Sequence, residues 1–223
     1  MTGIKLPFDI IGFDLDGTLI DTSGDLAHAL NHALATIGRG PLAIDDVKRM
    51  VGRGAKVMLT RALTVTGDAA PDVIDRLFPI LIDHYAAHIA DTSQPYPGVL
   101  DALDSLKAQG FRLAVCTNKI ERLARLVLDA LGMTDYFVAI IGGDTTPKLK
   151  PDPVPLRAMI AAAGGGRTLF VGDSDNDIDA AKAAGVASVA VSFGYVPGDP
   201  AALGADAVIR HYDELVPLVK NWA

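Results

Sequence analysis

The residues of this chain most capable of chemistry follow directly on its apolar runs. Residues 8–13 lead into Asp14-Leu15-Asp16-Gly17-Thr18, and residues 111–116 into Thr117-Asn118-Lys119. Residues 137–141 lead through Gly142-Gly143-Asp144 to Lys148 and Lys150-Pro151, and residues 168–171 into Gly172-Asp173-Ser174-Asp175-Asn176-Asp177. Carboxylates crowded together resist joint ionisation, and a divalent cation removes the objection. Magnesium prefers oxygen ligands and is often shared with a substrate phosphate. A carboxylate can attack a phosphoryl group covalently. The transferred group is anionic, so it needs positive charge and hydrogen-bond donors around its oxygens. Thr117, the backbone amides near Gly17 and a lysine meet that need. On an extended strand Asp14 and Asp16 would share one face, but the Asp-Gly turn breaks that pattern and lets Asp16 reach a leaving-group oxygen as a general acid.

The elements that must hold these residues alternate. Apolar runs at 8–13, 111–116, 137–141, 168–171, 188–191 and 207–209 read as strands buried on both faces, as in a parallel sheet covered by helices. Helical patterns at 98–109, 120–131, 153–163 and 176–184 lie between them. This alternation predicts a doubly wound α/β fold, in which ligands bind beyond the carboxyl ends of the strands. Four strands would thus deliver their polar residues to one rim, with Asp173 on its surface. The stretch after the first strand breaks the pattern: 21–37, 44–51, 55–66 and 71–90 all look helical. A crossover of about seventy residues implies an inserted helical subdomain rather than a loop. The expected division is a core of residues 1–20 and 96–223 and a helical cap of residues 21–95.

Phe13-Asp14-Leu15-Asp16-Gly17-Thr18-Leu19, Val115-Cys116-Thr117-Asn118, Lys150-Pro151 and Gly172-Asp173 to Asp177 resemble, in order, the four motifs of the haloacid dehalogenase superfamily. The resemblance implies a Rossmann-like core with a helical cap and a magnesium-dependent phosphatase working through a phospho-aspartyl intermediate. It implies Asp14 as nucleophile and metal ligand, and Asp16 as acid/base offering its carbonyl to Mg2+. Thr117 would hold the phosphate, Lys150 neutralise charge, Asp173 bind Mg2+ and Asp177 orient that shell. Thr18, Asn118 and the cap residue Arg53 are the expected substrate contacts. Segments such as Val51-Gly52-Arg53-Gly54-Ala55, Tyr96-Pro97-Gly98-Val99 and Phe193-Gly194-Tyr195 are similar to bacterial phosphoglycolate phosphatases, which implies 2-phosphoglycolate as substrate. Lys150-Pro151-Asp152-Pro153 departs from the Lys-Pro-His-Pro common there and adds negative charge near the site. Other small-metabolite phosphatases (of a sugar phosphate or pyrophosphate), a β-phosphoglucomutase-like mutase and a non-catalytic phosphate-binding protein are the alternatives.

Other readings narrow the field. The 223 residues carry a net charge of −7 with no Lys/Arg cluster, which argues against a nucleic-acid partner. No apolar run approaches a bilayer span, and the amino terminus shows no signal-peptide core. Cys116 stands alone, so no internal disulfide forms, and a cytoplasmic protein is expected, monomer or homodimer. Asp173-x-Asp175-x-Asp177 mimics a calcium loop, but Ile178 and Ala184 stand where that loop needs glycine and glutamate. His28/His32 and His84/His88 are i, i+4 pairs able to share a metal, yet no third ligand is evident and solvent-facing histidines account for the spacing. The acidic rim predicts an obligatory divalent ion: exhaustive chelation abolishes turnover in a phosphate-release assay, and Mg2+ or Mn2+ restores it.

Overall fold

A computed structural model describes residues 7–196 and 198–222. The amino-terminal segment, residues 1–6, where no signal-peptide core is expected, lies outside the described residues. The chain runs β1 (Ile10–Phe13), β2 (Ile20–Asp21), α1 (Ser23–Ala35), α2 (Ile44–Lys48), α3 (Ala55–Thr66), α4 (Pro71–Ala87) and β3 (Gln94–Pro95). It continues α5 (Val99–Ala108), β4 (Arg112–Cys116), α6 (Glu121–Ala130), β5 (Phe137–Ile141), α7 (Val154–Ala162) and β6 (Thr168–Gly172). It closes with α8 (Asp175–Ala184), β7 (Ala187–Val191), β8 (Ala207–Ile209) and α9 (Leu215–Lys220).

Six strands form one sheet in the order β5-β4-β1-β6-β7-β8, and every neighbouring pair is parallel. The order reverses beside β1, the topological switch point of a doubly wound sheet. Strand alternation assigns each face. Ile11, Phe13, Leu113, Val115, Leu169 and Val171 meet α5, α6 and α9, while Ile10, Ala114, Cys116 and Phe170 meet α7 and α8. Both faces are therefore dry, and the strands read as continuous apolar runs. Each large aliphatic or aromatic side chain so buried contributes about 1.5–3 kcal/mol.

The four helices of the insertion build a separate apolar cluster. Leu26, Leu30 and Leu34 of α1 and Leu77, Leu81 and Tyr85 of α4 supply i, i+4 stripes that close on Met58, Leu59 and Leu63 of α3. Leu123 of α6 joins this cluster from the core side. The sequence pattern showed no strand in this region. The structure adds a two-residue antiparallel ladder, Ile20 opposite Pro95 and Asp21 opposite Gln94, where the chain leaves the sheet layer and returns. Strands of two residues carry no periodicity to detect. Asp25 reinforces this neck, accepting hydrogen bonds from the amides and hydroxyls of Thr92 and Ser93 at 2.6–3.2 Å.

Gly12 shows how closely the core is packed: a Cβ there would stand 2.6 Å from Met159 Cε and 2.9 Å from Phe170 Cδ2. Gly12→Ala therefore costs about 1–3 kcal/mol of stability, read as a lower urea midpoint at unchanged m-value, as overpacking does.

Candidate active site

Strand register decides which side chains meet. Phe13 lies opposite Val115 and Val171, so Asp14, Thr117 and Asp173 emerge at the carboxyl ends of three adjacent strands. The backbone continues the ladder past the strand ends, with Asp14 N donating to Val171 O and Thr117 N to Ile141 O, both at 2.9 Å. Asp14, Asp173 and Asp177 each bring a carboxylate oxygen within 4.8 Å of the others. All three are buried. Asp173 was expected on a surface rim. It lies instead beneath the loop after β7, its Oδ2 accepting the amide of Tyr195 at 2.7 Å.

One lysine serves this cluster. Lys150 Nζ donates to Asp177 Oδ1 at 2.6 Å and to Cys116 O at 2.7 Å, and stands 2.9 Å from Asp14 Oδ1. The sequence left Lys148 as a rival; it is exposed, and only Lys150 reaches the carboxylates. Asp177 has a second task. Its Oδ2 accepts the amides of Asp173 and Ser174 and the Ser174 hydroxyl, closing a capping box at the start of α8. Both its oxygens are thus occupied. Asp14 Oδ1 has no aligned donor, since its contact with Lys150 is off hydrogen-bond geometry. A set of hard oxygen donors, buried, acidic in excess and with an orphaned oxygen, fits a small divalent cation such as Mg2+.

Burial pushes the Asp14 carboxyl up from its ordinary value to about 6, against the opposing pull of Lys150 and with Asp177 adding to the rise. Burial also raises Asp173 well above the usual carboxylate range, helped by Asp177 and Asp14. Lys150 moves the other way from its burial, because Asp14 and Asp177 hold its proton.

Asp16 sits apart from this trio, and its partners were not foreseen. Its Oδ1 accepts from Thr22 Oγ1 at 2.6 Å and from Lys119 Nζ at 2.8 Å. Lys119 also donates to the Tyr85 hydroxyl of α4 at 2.7 Å and is almost fully buried. Burial alone would lower its pKa; the Asp16 and Tyr85 contacts outweigh that and raise it. Tyr85 is itself pushed up to about 12 by burial. The available signal was Lys119's place directly after Thr117-Asn118 at a strand end. Gly17 makes this loop possible: its φ is 81°, and a Cβ would fall 2.5 Å from Asp173 Oδ2.

The expected substrate contacts are placed differently from one another. Asn118 spends its amide on backbone, Nδ2 donating to Gly52 O and Lys150 O while Oδ1 accepts the Lys150 amide, all at 2.9–3.0 Å. Thr18 is fully buried, and its carbonyl accepts the Tyr212 hydroxyl. Arg53 is exposed in the turn before α3 and pairs with Asp175 of α8 at 3.1 Å, spanning the gap between insertion and sheet layer. Asp152 Oδ1 accepts the Val154 amide at the start of α7, at 3.0 Å.

Two clefts open here, and Asp16 lines both. One, of about 580 Å³, runs from Asp14, Asp16 and Thr117 to apolar walls that include Leu26, Met58 and Leu81. The other, of about 610 Å³, sets Lys48, Arg49, Arg53 and Arg61 of the insertion opposite Asp173, Asn176 and Tyr195.

The raised Asp14 pKa has a thermodynamic sign. Between about pH 4 and 6 the folded protein binds more protons than the unfolded chain, so stability falls as pH rises and the penalty is full above about 6. In protein stripped of divalent ions, Asp14→Asn therefore raises stability at neutral pH by at most on the order of 3 kcal/mol, read as a higher Tm, and flattens this pH dependence. Mg2+ then stabilises the wild type more than the variant, read by calorimetry.

The profile of the haloacid dehalogenase-like hydrolases matches residues 11–191. A phosphoglycolate phosphatase of Agrobacterium fabrum is 46% identical over 208 residues, covering 92% of this chain and 89% of that one. The crystal structure of a predicted phosphoglycolate phosphatase from Haemophilus somnus superposes with a TM-score of 0.88 at 33% identity, covering 95% and 97% of the two chains. That of CbbY from Rhodobacter sphaeroides in complex with phosphate gives 0.80 at 26% identity, covering 93% and 96%. With its six-stranded parallel core, its helical insertion and its strand-end carboxylates all in that pattern, the chain belongs to the haloacid dehalogenase-like hydrolase family.

Proposed function

We propose that this phosphatase hydrolyses 2-phosphoglycolate, with Asp14 as the nucleophile that carries the phosphoryl group. The observation that carries the mechanism is the buried trio Asp14, Asp173 and Asp177 around the single ammonium of Lys150. Asp14 attacks phosphorus in line and the ester oxygen leaves. Asp16, its Oδ1 held by Thr22 and Lys119, delivers a proton from Oδ2 to that oxygen and then takes one from the water that hydrolyses the acyl phosphate. Thr117 donates to the phosphoryl oxygens, and Lys150 keeps Asp14 ionised and offsets developing charge. Mg2+, held by Asp14, Asp173 and the Asp16 carbonyl, would supply electrostatic stabilisation of the phosphoryl group. Asp177 orients Lys150 and the Asp173 loop, and Asn118 clips the Lys150 backbone to that of Gly52.

The relatives named as phosphoglycolate phosphatases support the substrate. So does the cationic wall of Lys48, Arg49, Arg53 and Arg61, suited to a carboxylate beyond the phosphate. The apolar cleft favours a second reading, a bulkier sugar phosphate whose ring lies on Leu26 and Met58. Residues 21–95 act as a cap that closes over the site and excludes water. The enzyme works in the cytoplasm, in keeping with a lone buried thiol, as a monomer or homodimer acting on a small phosphorylated metabolite without a nucleic-acid or membrane partner. Among the described residues no helix is long and apolar enough to cross a membrane.

A phosphate-release panel with Mg2+ tests the substrate. The expected result is the highest kcat/KM on 2-phosphoglycolate, and an Arg53→Ala variant that raises its KM about tenfold while leaving an aryl phosphate unaffected. Faster turnover of sugar phosphates would replace the substrate and keep the chemistry. The two carboxylates of the first motif separate by kinetics. Asp14→Asn abolishes turnover and phosphoenzyme alike. Asp16→Asn lowers steady turnover of an alkyl phosphate about 10²–10⁴-fold. With an aryl phosphate, whose leaving group needs little protonation, it still gives a burst of aryl alcohol followed by slow turnover, with label on Asp14. Equal loss of first-turnover rate on both substrates would remove Asp16 as the acid.

A further inference from the structure

Two helices of the insertion carry histidines that the phosphatase chemistry leaves unused. His28 and His32 lie one turn apart on α1, and His84 and His88 at the same spacing at the end of α4. Neither pair alone completes a metal site. Packing of α1 against α4 brings the pairs together. His84 is the centre: its ring centroid lies 3.9 Å from that of His32, 4.5 Å from His88 and 5.9 Å from His28, and His28 stands 6.4 Å from His88. None of the four lines either cleft of the active site.

We propose that these four imidazoles form a second metal site, for a borderline divalent transition ion of the Zn2+ class, which ties α1 to α4. Metal–nitrogen bonds of about 2.0–2.1 Å in a tetrahedron put imidazole centroids about 5 Å from one another. The four observed separations bracket that value, and rotation of the side chains would bring their ring nitrogens to one ion. His32 lies flat on His84, at an interplanar angle of 7°, and coordination turns these rings edge-on. His28 and His32 are exposed and His84 and His88 half-buried, which leaves them free to turn.

A second observation points the same way. His88 Nδ1 lies 2.7 Å from Asp91 Oδ2. Histidine ligands commonly give their other ring N–H to a carboxylate, which fixes the tautomer and makes the free nitrogen more basic. Here Asp91 leaves Nε2 of His88 for the ion. Burial, together with His32, His88 and His28, holds the His84 pKa below its ordinary value, so the neutral ligand form is available at neutral pH. An all-imidazole set selects Zn2+, Ni2+ or Cu2+ and excludes Mg2+, which keeps this site chemically distinct from the carboxylate trio. The ion would join the helix that leaves the β2–β3 neck to the one that returns to it.

The test is competition for Zn2+ against a chromophoric chelator, using the full chain with saturating Mg2+ to occupy the carboxylates. The expected result is one Zn2+ equivalent in the wild type and in Asp173→Asn, lost in His84→Gln and in the double variant His28→Gln/His32→Gln. Asp91→Asn should keep the equivalent and weaken it about 10–100-fold. Zn2+ should raise Tm of the wild type and not of His84→Gln, a change at a half-buried position outside the apolar cluster. No equivalent in the wild type, undiminished binding by His84→Gln, or loss of the equivalent in Asp173→Asn would each overturn the site.

Discussion

Three buried carboxylates and one buried ammonium share a small volume, and most of the molecule is arranged around that balance. Lys150 touches Asp14 and Asp177 and takes a third contact from the Cys116 carbonyl. One cation does not neutralise three acids, and burial, with the neighbouring carboxylates adding to it, raises the proton affinities of Asp14 and Asp173. The arrangement is therefore strained toward capturing positive charge. It persists because the surrounding sheet is too well packed to relax: β1 and β6 are buried along their whole length, and loops anchored at their ends cannot spread. Asp177 shows how economically this is held. The same carboxylate that caps α8 also anchors Lys150, so the helix start and the charge balance are one structure.

The insertion answers the acidic rim with the opposite sign. Lys48, Arg49, Arg53 and Arg61 approach from the helical side, and Arg53 bridges to Asp175 across the gap. Exposed pairs of this kind hold with little energy, about 0–1 kcal/mol, and yield readily to a ligand that offers more charge. The neck is more firmly built. Tyr195 contributes its amide to Asp173 and its hydroxyl to the Thr22 amide and Asp21, so the loop after β7 reads both the acidic cluster and the exit to the helices. Lys119 makes the same connection on the other side, from Asp16 of the sheet layer to Tyr85 of α4. The helices of the insertion are thereby joined through Lys119 to Asp16 of the first motif.

The sheet was legible in the sequence because strands covered on both faces must be apolar throughout, and because each ended in polar residues of a kind that burial disfavours. All six sheet strands were read close to their observed bounds for that reason. The two-residue ladder at the neck and the short helix α9 were not read, since so few residues carry no period. Asp14, Asp16, Thr117, Asp173 and Asp177 could be named from motif order alone, and Lys150 was favoured there with Lys148 left as a rival. Asn118 and Thr18 were expected at the substrate, whereas the amide of one serves backbone groups and the other is enclosed.

Residue types and their order determined the fold class and the acidic chemistry, because periodicity and strand-end composition are local properties carried by neighbours in the chain. The pairing of distant charges was decided only by tertiary structure. Lys119 finds Asp16 across 103 positions, Arg53 finds Asp175 across 122, and Lys150 rather than Lys148 reaches the trio. The choice between those two lysines turns on which side chain the loop after β5 points inward, and the meeting of four histidines turns on the register of α1 against α4. Neither is written in any single segment, because each depends on how two separately amphipathic or apolar elements pack.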